Sequence, residues 1–163
     1  MLTRVCFLRH ATAQEYELGL ADADRQLTDK GLRQVRAVAS FCERQSLRPD
    51  VLLTSPLLRA VQTATVLSQH LRDCPPPETV DWLRIGTPTA EAWRAVQARQ
   101  ARQEGALWLV GHEPQFSDLI SRLLGSATPI VQVKKASLSC VELDADTLQH
   151  GQLLWSVPCA LMG

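Results

Sequence analysis

The stretch Val5-Cys6-Phe7-Leu8-Arg9-His10 sets the tightest limit on what this chain can fold into. Thr3 to Leu8 is a short, continuously apolar, partly β-branched run without the alternation of a half-exposed strand, so it reads as a strand buried on both faces of a parallel sheet. It stops abruptly at a guanidinium and an imidazole. In open α/β sheets, ligands bind beyond the carboxyl ends of the strands. The run therefore hands Arg9 and His10 to a sheet edge where a site is expected.

The remaining chain supplies strands and helices in alternation. Residues 11–26 lack periodicity and read as a polar loop. A helix is expected from Leu27-Thr28-Asp29 to about Arg44, with Thr28 as N-cap, Asp29 at the positive end of the dipole and Leu27 spaced from Leu32 as a hydrophobic staple. Val51 to Thr54 forms a second strand. Ser55-Pro56 then reads as the N-cap and first residue of another helix, with Leu57, Leu58, Val61, Ala64, Leu67 and Leu71 as its buried stripe. Cys74-Pro75-Pro76-Pro77 is an extended connector. Thr79 to Leu83 reads as a third strand, and a helix is expected over residues 89–102.

Ala106 to Val110 is again a buried-type strand, and it ends at Gly111-His112-Glu113-Pro114. The following helix turns Phe116, Leu119, Ile120, Leu123 and Leu124 inward and stops at Gly125. Ser137–Leu143 and Gln152–Val157 read as two strands joined by a polar turn. These elements describe a three-layer α/β/α sandwich with a mainly parallel sheet and a C-terminal strand pair. No repeat, low-complexity stretch or long linker interrupts residues 1–163, so a single domain is expected.

Composition narrows the function classes. Seventeen basic and seventeen acidic residues cancel, which gives no global attraction for nucleic acid or an anionic membrane. No apolar run approaches the ~20 residues that span a bilayer, and Met1-Leu2-Thr3-Arg4 leads straight into a strand, with no room for a signal peptide. The five cysteines are far apart and form no C-x-x-C pair, which argues against a disulfide framework or structural zinc. Reduced thiols and a cytoplasmic location are expected. His70 and His150 are assigned to the surface, and the four tryptophans to the core or its edge.

The strand ends carry the chemistry. Arg9 and His10 leave the first strand, Arg59 lies in the first turn after the second, and His112 leaves the fourth. A zinc reading with His10 and His112 as ligands lacks a third ligand in any nearby motif, so neither metal nor cofactor is expected. Leu8-Arg9-His10, Ser55-Pro56-Leu57-Leu58-Arg59-Ala60-Val61-Gln62-Thr63 and Val110-Gly111-His112-Glu113-Pro114, in that order, resemble the histidine phosphatase superfamily over about residues 3–124. The small size and the Arg-His-Ala start, with Ala11 where many members have glycine, resemble its SixA-like branch of phosphohistidine phosphatases.

The resemblance implies that His10 is the nucleophile, transiently phosphorylated, and that Arg9, Arg59 and His112 bind the transferring phosphoryl group. This agrees with what phosphoryl transfer asks of a protein, positioning and positive charge around three oxygens. Larger members of the superfamily carry an acidic residue on an extra segment to protonate the leaving group. Here Glu113, Asp22 and Asp24 are the candidates, with Glu15 and Glu17 behind them, and the sequence does not choose. Phosphohistidine tolerates that gap, because its imidazole can leave already protonated on the other nitrogen. A phosphorylated protein domain is the expected partner, and a small phosphomonoester or a phosphate-binding module without turnover is the alternative.

Overall fold

A computed structural model describes residues 2–102, 105–144 and 151–163. Its centre is a six-stranded sheet in the order β3-β2-β4-β1-β5-β6. The strands are β1 (Leu2–Arg9), β2 (Val51–Thr54), β3 (Glu78–Thr79), β4 (Leu107–Gly111), β5 (Leu138–Asp144) and β6 (Gly151–Val157). The first four run parallel, with Leu8 opposite Val110 and Thr54 opposite the same residue on the other side. β5 pairs antiparallel with β1, and β6 antiparallel with β5.

Helices α1 (Asp29–Gln45) and α2 (Leu58–His70) cover one face, and α3 (Thr89–Gln100) and α4 (Gln115–Leu123) the other. The alternation of side chains along each strand divides the core accordingly. Cys6, Leu8, Leu52, Trp108 and Val110 pack with Val35, Val38, Ala39, Cys42, Ala60, Ala64 and Leu67 of α1 and α2. Val5, Phe7, Leu53, Leu107 and Leu109 pack with Ala92, Val96, Phe116, Leu119, Ile120 and Leu123 of α3 and α4. Phe7 meets Phe116 edge to face at 5.3 Å between centroids, a geometry that favours the pair beyond its buried area. This is the expected three-layer sandwich.

Local sequence accounts for most element ends. Thr28 Oγ accepts the Gly31 N–H at 3.1 Å and caps α1, and the helix closes on Ser46 in the left-handed region, whose N–H returns to the Cys42 and Glu43 carbonyls. Gly125, at φ 83°, follows the last turn of α4.

Three expectations are corrected. Ser55 and Pro56 stand outside α2, which starts at Leu58 after Leu57 as the cap residue; Ser55 Oγ instead accepts the Leu57 N–H and meets a histidine. Of the expected α2 stripe, Leu57, Ala64, Leu67 and Leu71 are buried, but Leu58 and Val61 are only half-buried, because the helix turns Arg59, Ala60 and Thr63 inward beside Ala64 and Leu67. Residues 79–83 make only the end of a two-residue edge strand, followed by a tight 3-10 turn at Asp81–Leu83 that buries Leu83. The polar turn between β5 and β6, with His150, lies outside the described residues. Trp108 is core, and Trp82, Trp93 and Trp155 pack at its edges.

Candidate active site

The parallel pairing of β1, β4 and β2 brings three strand ends side by side. The His10 N–H donates to the Gly111 carbonyl and the Ser55 N–H to the Val110 carbonyl, both at 2.9 Å, so the turns after all three strands leave in register. The side chains of His10, His112 and Arg59 converge there, and all three residues are buried. Arg9 stands beside them, half-buried. Sequence alone brought these four to one edge, and the structure assembles them.

His10 Nδ1 lies 2.8 Å from the Ala11 carbonyl oxygen. A carbonyl only accepts, so Nδ1 carries the proton and Nε2 keeps its lone pair. Burial depresses the pKa of this imidazole to about 4, with Arg59, Arg9 and Lys135 adding repulsion and the Ala11 hydrogen bond opposing. His112 lies with its ring centroid 5.2 Å from that of His10. Its pKa falls to about 3, from burial first and then from His10, Arg59 and Arg9, with Asp22 pulling the other way. Both imidazoles are neutral at pH 7.

Arg59, only 2% exposed, is held by Asp22. Nη1 donates to the Asp22 carbonyl at 2.7 Å and Nη2 to its carboxylate at 3.1 Å. Arg9 Nη1 donates to the Val133 carbonyl at 3.0 Å, and burial lowers the Arg9 pKa while Glu113 raises it. The Nε atoms of both arginines and Nδ1 of His112 are buried without a hydrogen-bond partner among the described residues. Unmet buried donors are costly. An anion with several oxygens at this sheet edge would meet such guanidinium donors.

The sequence reading missed three supports. Ser55 Oγ, fully buried, sits 2.7 Å from His112 Nε2; the local sequence marks the residue as a helix cap, and its place directly after a strand is the available signal. Thr63 accepts the Ala11 N–H at 3.2 Å and donates to the Arg59 carbonyl at 2.7 Å, tying the turn after His10 to α2, and its i+4 spacing from Arg59 put both on one helix face. The segment before β5 closes the site from the other side: the Ala136 N–H donates to the Arg9 and His10 carbonyls, and the Arg9 N–H to that of Ser137. Nothing in its sequence pattern announced that role.

The acid candidates separate. Asp22 reaches the site, but the Arg25 hydrogen bond, with the Arg59 hydrogen bond and both guanidinium charges adding to it, holds its carboxyl below the usual range against burial. Glu113 accepts the Ser117 N–H at 2.9 Å and the Ser117 hydroxyl, so both its oxygens serve the first turn of α4. Asp24, Glu15 and Glu17 are exposed. Among the described residues, no group of three or more His, Cys, Asp or Glu side chains gathers as a metal-ligand set, and no helix is long and apolar enough to cross a membrane.

A neutral imidazole with a free nitrogen, beside a second imidazole and two guanidiniums with open donors, has the parts needed to receive a phosphoryl group. The comparisons with known proteins agree with that class. The family model described as "Histidine phosphatase superfamily (branch 1)" matches residues 5–85. An uncharacterized protein of Picosynechococcus sp. (strain PCC 7002) is 31% identical over 146 residues, 88% of this chain and 87% of its own. Among solved structures, the protein histidine phosphatase SixA complexed with tungstate superposes with a TM-score of 0.88 at 22% identity, over 99% of this chain and 100% of that one. A mycobacterial glucosyl-3-phosphoglycerate phosphatase superposes with a TM-score of 0.74 at 18% identity, over 94% and 98%. The chain belongs to the histidine phosphatase superfamily. It is a phosphatase.

Proposed function

We propose that the protein removes phosphate from phosphohistidine on a protein domain, through a transient phosphohistidine on His10 and without a metal. The observation that carries this reading is the Nδ1–H to Ala11 carbonyl bond of His10, which leaves Nε2 as the attacking lone pair in a ring that burial keeps neutral. Arg9 and Arg59 grip the phosphoryl oxygens through their open Nε–H groups. With the Ser55 hydroxyl donating to His112 Nε2, the proton of His112 sits on Nδ1 as a further donor to the same oxygens.

The reaction runs in two displacements. His10 Nε2 attacks phosphorus, the phosphorus–nitrogen bond of the substrate breaks, and the departing imidazole leaves neutral because its other nitrogen is already protonated. Water then attacks phosphorus on His10, releasing inorganic phosphate and restoring the free ring. The first step needs no strong enzyme acid. That matches a site whose nearest carboxylates, Asp22 and Glu113, are occupied by Arg59, Arg25 and Ser117. The full-length likeness to a protein histidine phosphatase supports the same substrate class.

A small phosphomonoester is the second reading, favoured by the likeness to a glucosyl-3-phosphoglycerate phosphatase. The two are separated by incubating the protein with a phosphohistidine-bearing protein domain and, in parallel, with para-nitrophenyl phosphate and sugar phosphates, beside a His10→Ala control. Phosphate release confined to the phosphohistidine and lost in the control is the expected result. Preference for a sugar phosphate would transfer the assignment to a metabolite phosphatase.

A further inference from the structure

On the α1–α2 face of the sheet, three residues back from Arg9 in β1, two cysteines stand directly opposite each other. Cys6 of β1 pairs with Cys140 of β5 in antiparallel register, close enough for each thiol to shift the other's pKa. Directly opposed residues in an antiparallel pair have Cα atoms about 4.5–5.5 Å apart, within the roughly 4.4–6.8 Å that a disulfide spans. All five cysteines are free, and no other two occupy paired strand positions.

The pair is buried, at 4% and 1% exposure, but it is not sealed. Both cysteines line a cleft of about 110 Å³ together with Arg4, Arg48, Trp108 and Trp155. That volume holds a hydroperoxide, since a water in bulk occupies about 30 Å³. Arg4 at the rim favours a thiolate over a thiol at both positions. The two cysteines are also unequal: the hydrogen bond from Cys6 and the charge of Arg4 lower the Cys140 thiol against burial, while the same hydrogen bond and burial raise Cys6.

We infer that Cys6 and Cys140 form an oxidation site, in which a hydroperoxide converts the cross-strand dithiol to a disulfide. The Cys140 thiolate attacks the peroxide, the O–O bond breaks, and Cys140 becomes a sulfenic acid as the distal oxygen leaves with a proton as water or alcohol. Cys6 sulfur then attacks the sulfenic sulfur, the S–O bond breaks, and water departs with the Cys6 proton. Two thiols are oxidised and one peroxide is reduced. The bond forms three residues before Arg9 in β1 and three after Ser137 in β5, joining the two strands that flank the phosphoryl site. The same two-electron bond is open to reduction by a dithiol.

The test uses the reduced full chain treated with excess hydrogen peroxide, then alkylated under denaturing conditions and digested. Before alkylation the intact mass should fall by about 2 Da, the two hydrogens lost. The Cys6 peptide should be joined to the Cys140 peptide, with Cys42, Cys74 and Cys159 alkylated, and dithiothreitol should reverse the change. A Cys42→Ala, Cys74→Ala, Cys159→Ala triple variant should form the same link, and Cys140→Ser should leave Cys6 open to alkylation. Absence of a link in the wild type, or a link through Cys42, Cys74 or Cys159, overturns the inference.

Discussion

The rings of His10 and His112 face each other at 5.2 Å between centroids with their planes inclined at 55°, and neither can accept a proton without placing an imidazolium among Arg9, Arg59 and the other ring. Burial is the larger cause of their depressed pKa values, about 4 and about 3. Both rings should therefore keep neutral nitrogen shifts in an NMR titration of the free protein from pH 8 down to about 5, whereas an unperturbed histidine titrates near 6.5. His10→Ala and His112→Ala assign the resonances. A ring titrating near 6.5 in either position would contradict the buried, charge-flanked site.

The same shifts act on stability. In the unfolded chain a histidine binds its proton at about 6.5, while in the folded state these two bind theirs only at about 4 and about 3. Between those limits the unfolded state holds more protons, so stability rises with pH. Their contribution is fully present above about pH 6.5 and is lost as pH falls through 4 and 3. Each ring adds a slope of at most about 1.4 kcal/mol per pH unit. Urea unfolding at pH 7.5, 6 and 5 should show the decline, and His10→Gln should flatten it.

Ser55 is expected to act through His112. With the Leu57 N–H already donating to its oxygen at 3.3 Å, the hydroxyl proton is free to go to His112 Nε2 and set the tautomer. Ser55→Ala leaves that nitrogen buried and unpaired, at a cost of about 1–3 kcal/mol. Turnover should fall about ten- to a hundredfold, and the nitrogen shifts of His112 should report the other tautomer or a mixture. Ser55→Thr keeps the hydroxyl and should recover most of both. A loss of stability with the His112 tautomer unchanged would reduce Ser55 to packing.

Those supports show where sequence reading runs out. The sheet was legible because β1, β2 and β4 are short apolar runs that cannot be amphipathic helices, and Arg9, His10, Arg59 and His112 were legible because each stands at or just after such a run. Ser55 resists local reading because a serine before proline after a strand satisfies the rule for a helix cap, and only the pairing of β2 with β4 reveals that a histidine stands opposite. Likewise, a hydrophobic stripe on α2 locates Leu57, Ala64, Leu67 and Leu71 but not the inward turn of Arg59, since burial of a guanidinium is favourable only against the particular partner Asp22 supplies. The grip of residues 133–137 on Arg9 depends on a contact across more than a hundred residues, which no local pattern encodes. The two-residue β3 is too short to carry a period at all.

Gly31 makes the packing of α1 against the site testable. A Cβ at that position would stand 2.1 Å from the Thr12 carbonyl oxygen, and that carbonyl already accepts the Thr28 N–H at 3.0 Å. The obstacle is backbone, so it cannot swing aside as a side-chain tip does. Gly31→Ala, normally favourable within a helix by about 1 kcal/mol, should here destabilise by about 1–3 kcal/mol. Chemical denaturation measures it, and phosphatase activity should fall too, because Thr12 follows the turn that fixes His10.

Glu113 links to Arg9 by a chain of contacts rather than by proton transfer. Its carboxylate takes the Ser117 N–H and hydroxyl, the Ser117 oxygen accepts the Val133 N–H at 3.3 Å, and the Val133 carbonyl receives Arg9 Nη1. Glu113→Gln should therefore loosen the loop that seats Arg9 and raise KM several-fold for phosphohistidine and alkyl phosphates alike, with kcat changed by less than about threefold. A general acid behaves otherwise. Its loss would collapse kcat on alkyl phosphates by about 10²- to 10⁴-fold and spare phosphohistidine, whose imidazole leaves without help. The ratio of kcat on the two substrates, wild type against Glu113→Gln, separates the roles, and an unchanged ratio is the expected result. Asp22→Asn should behave the same way through Arg59, because a carboxyl held ionised by two arginines has no proton to give at neutral pH.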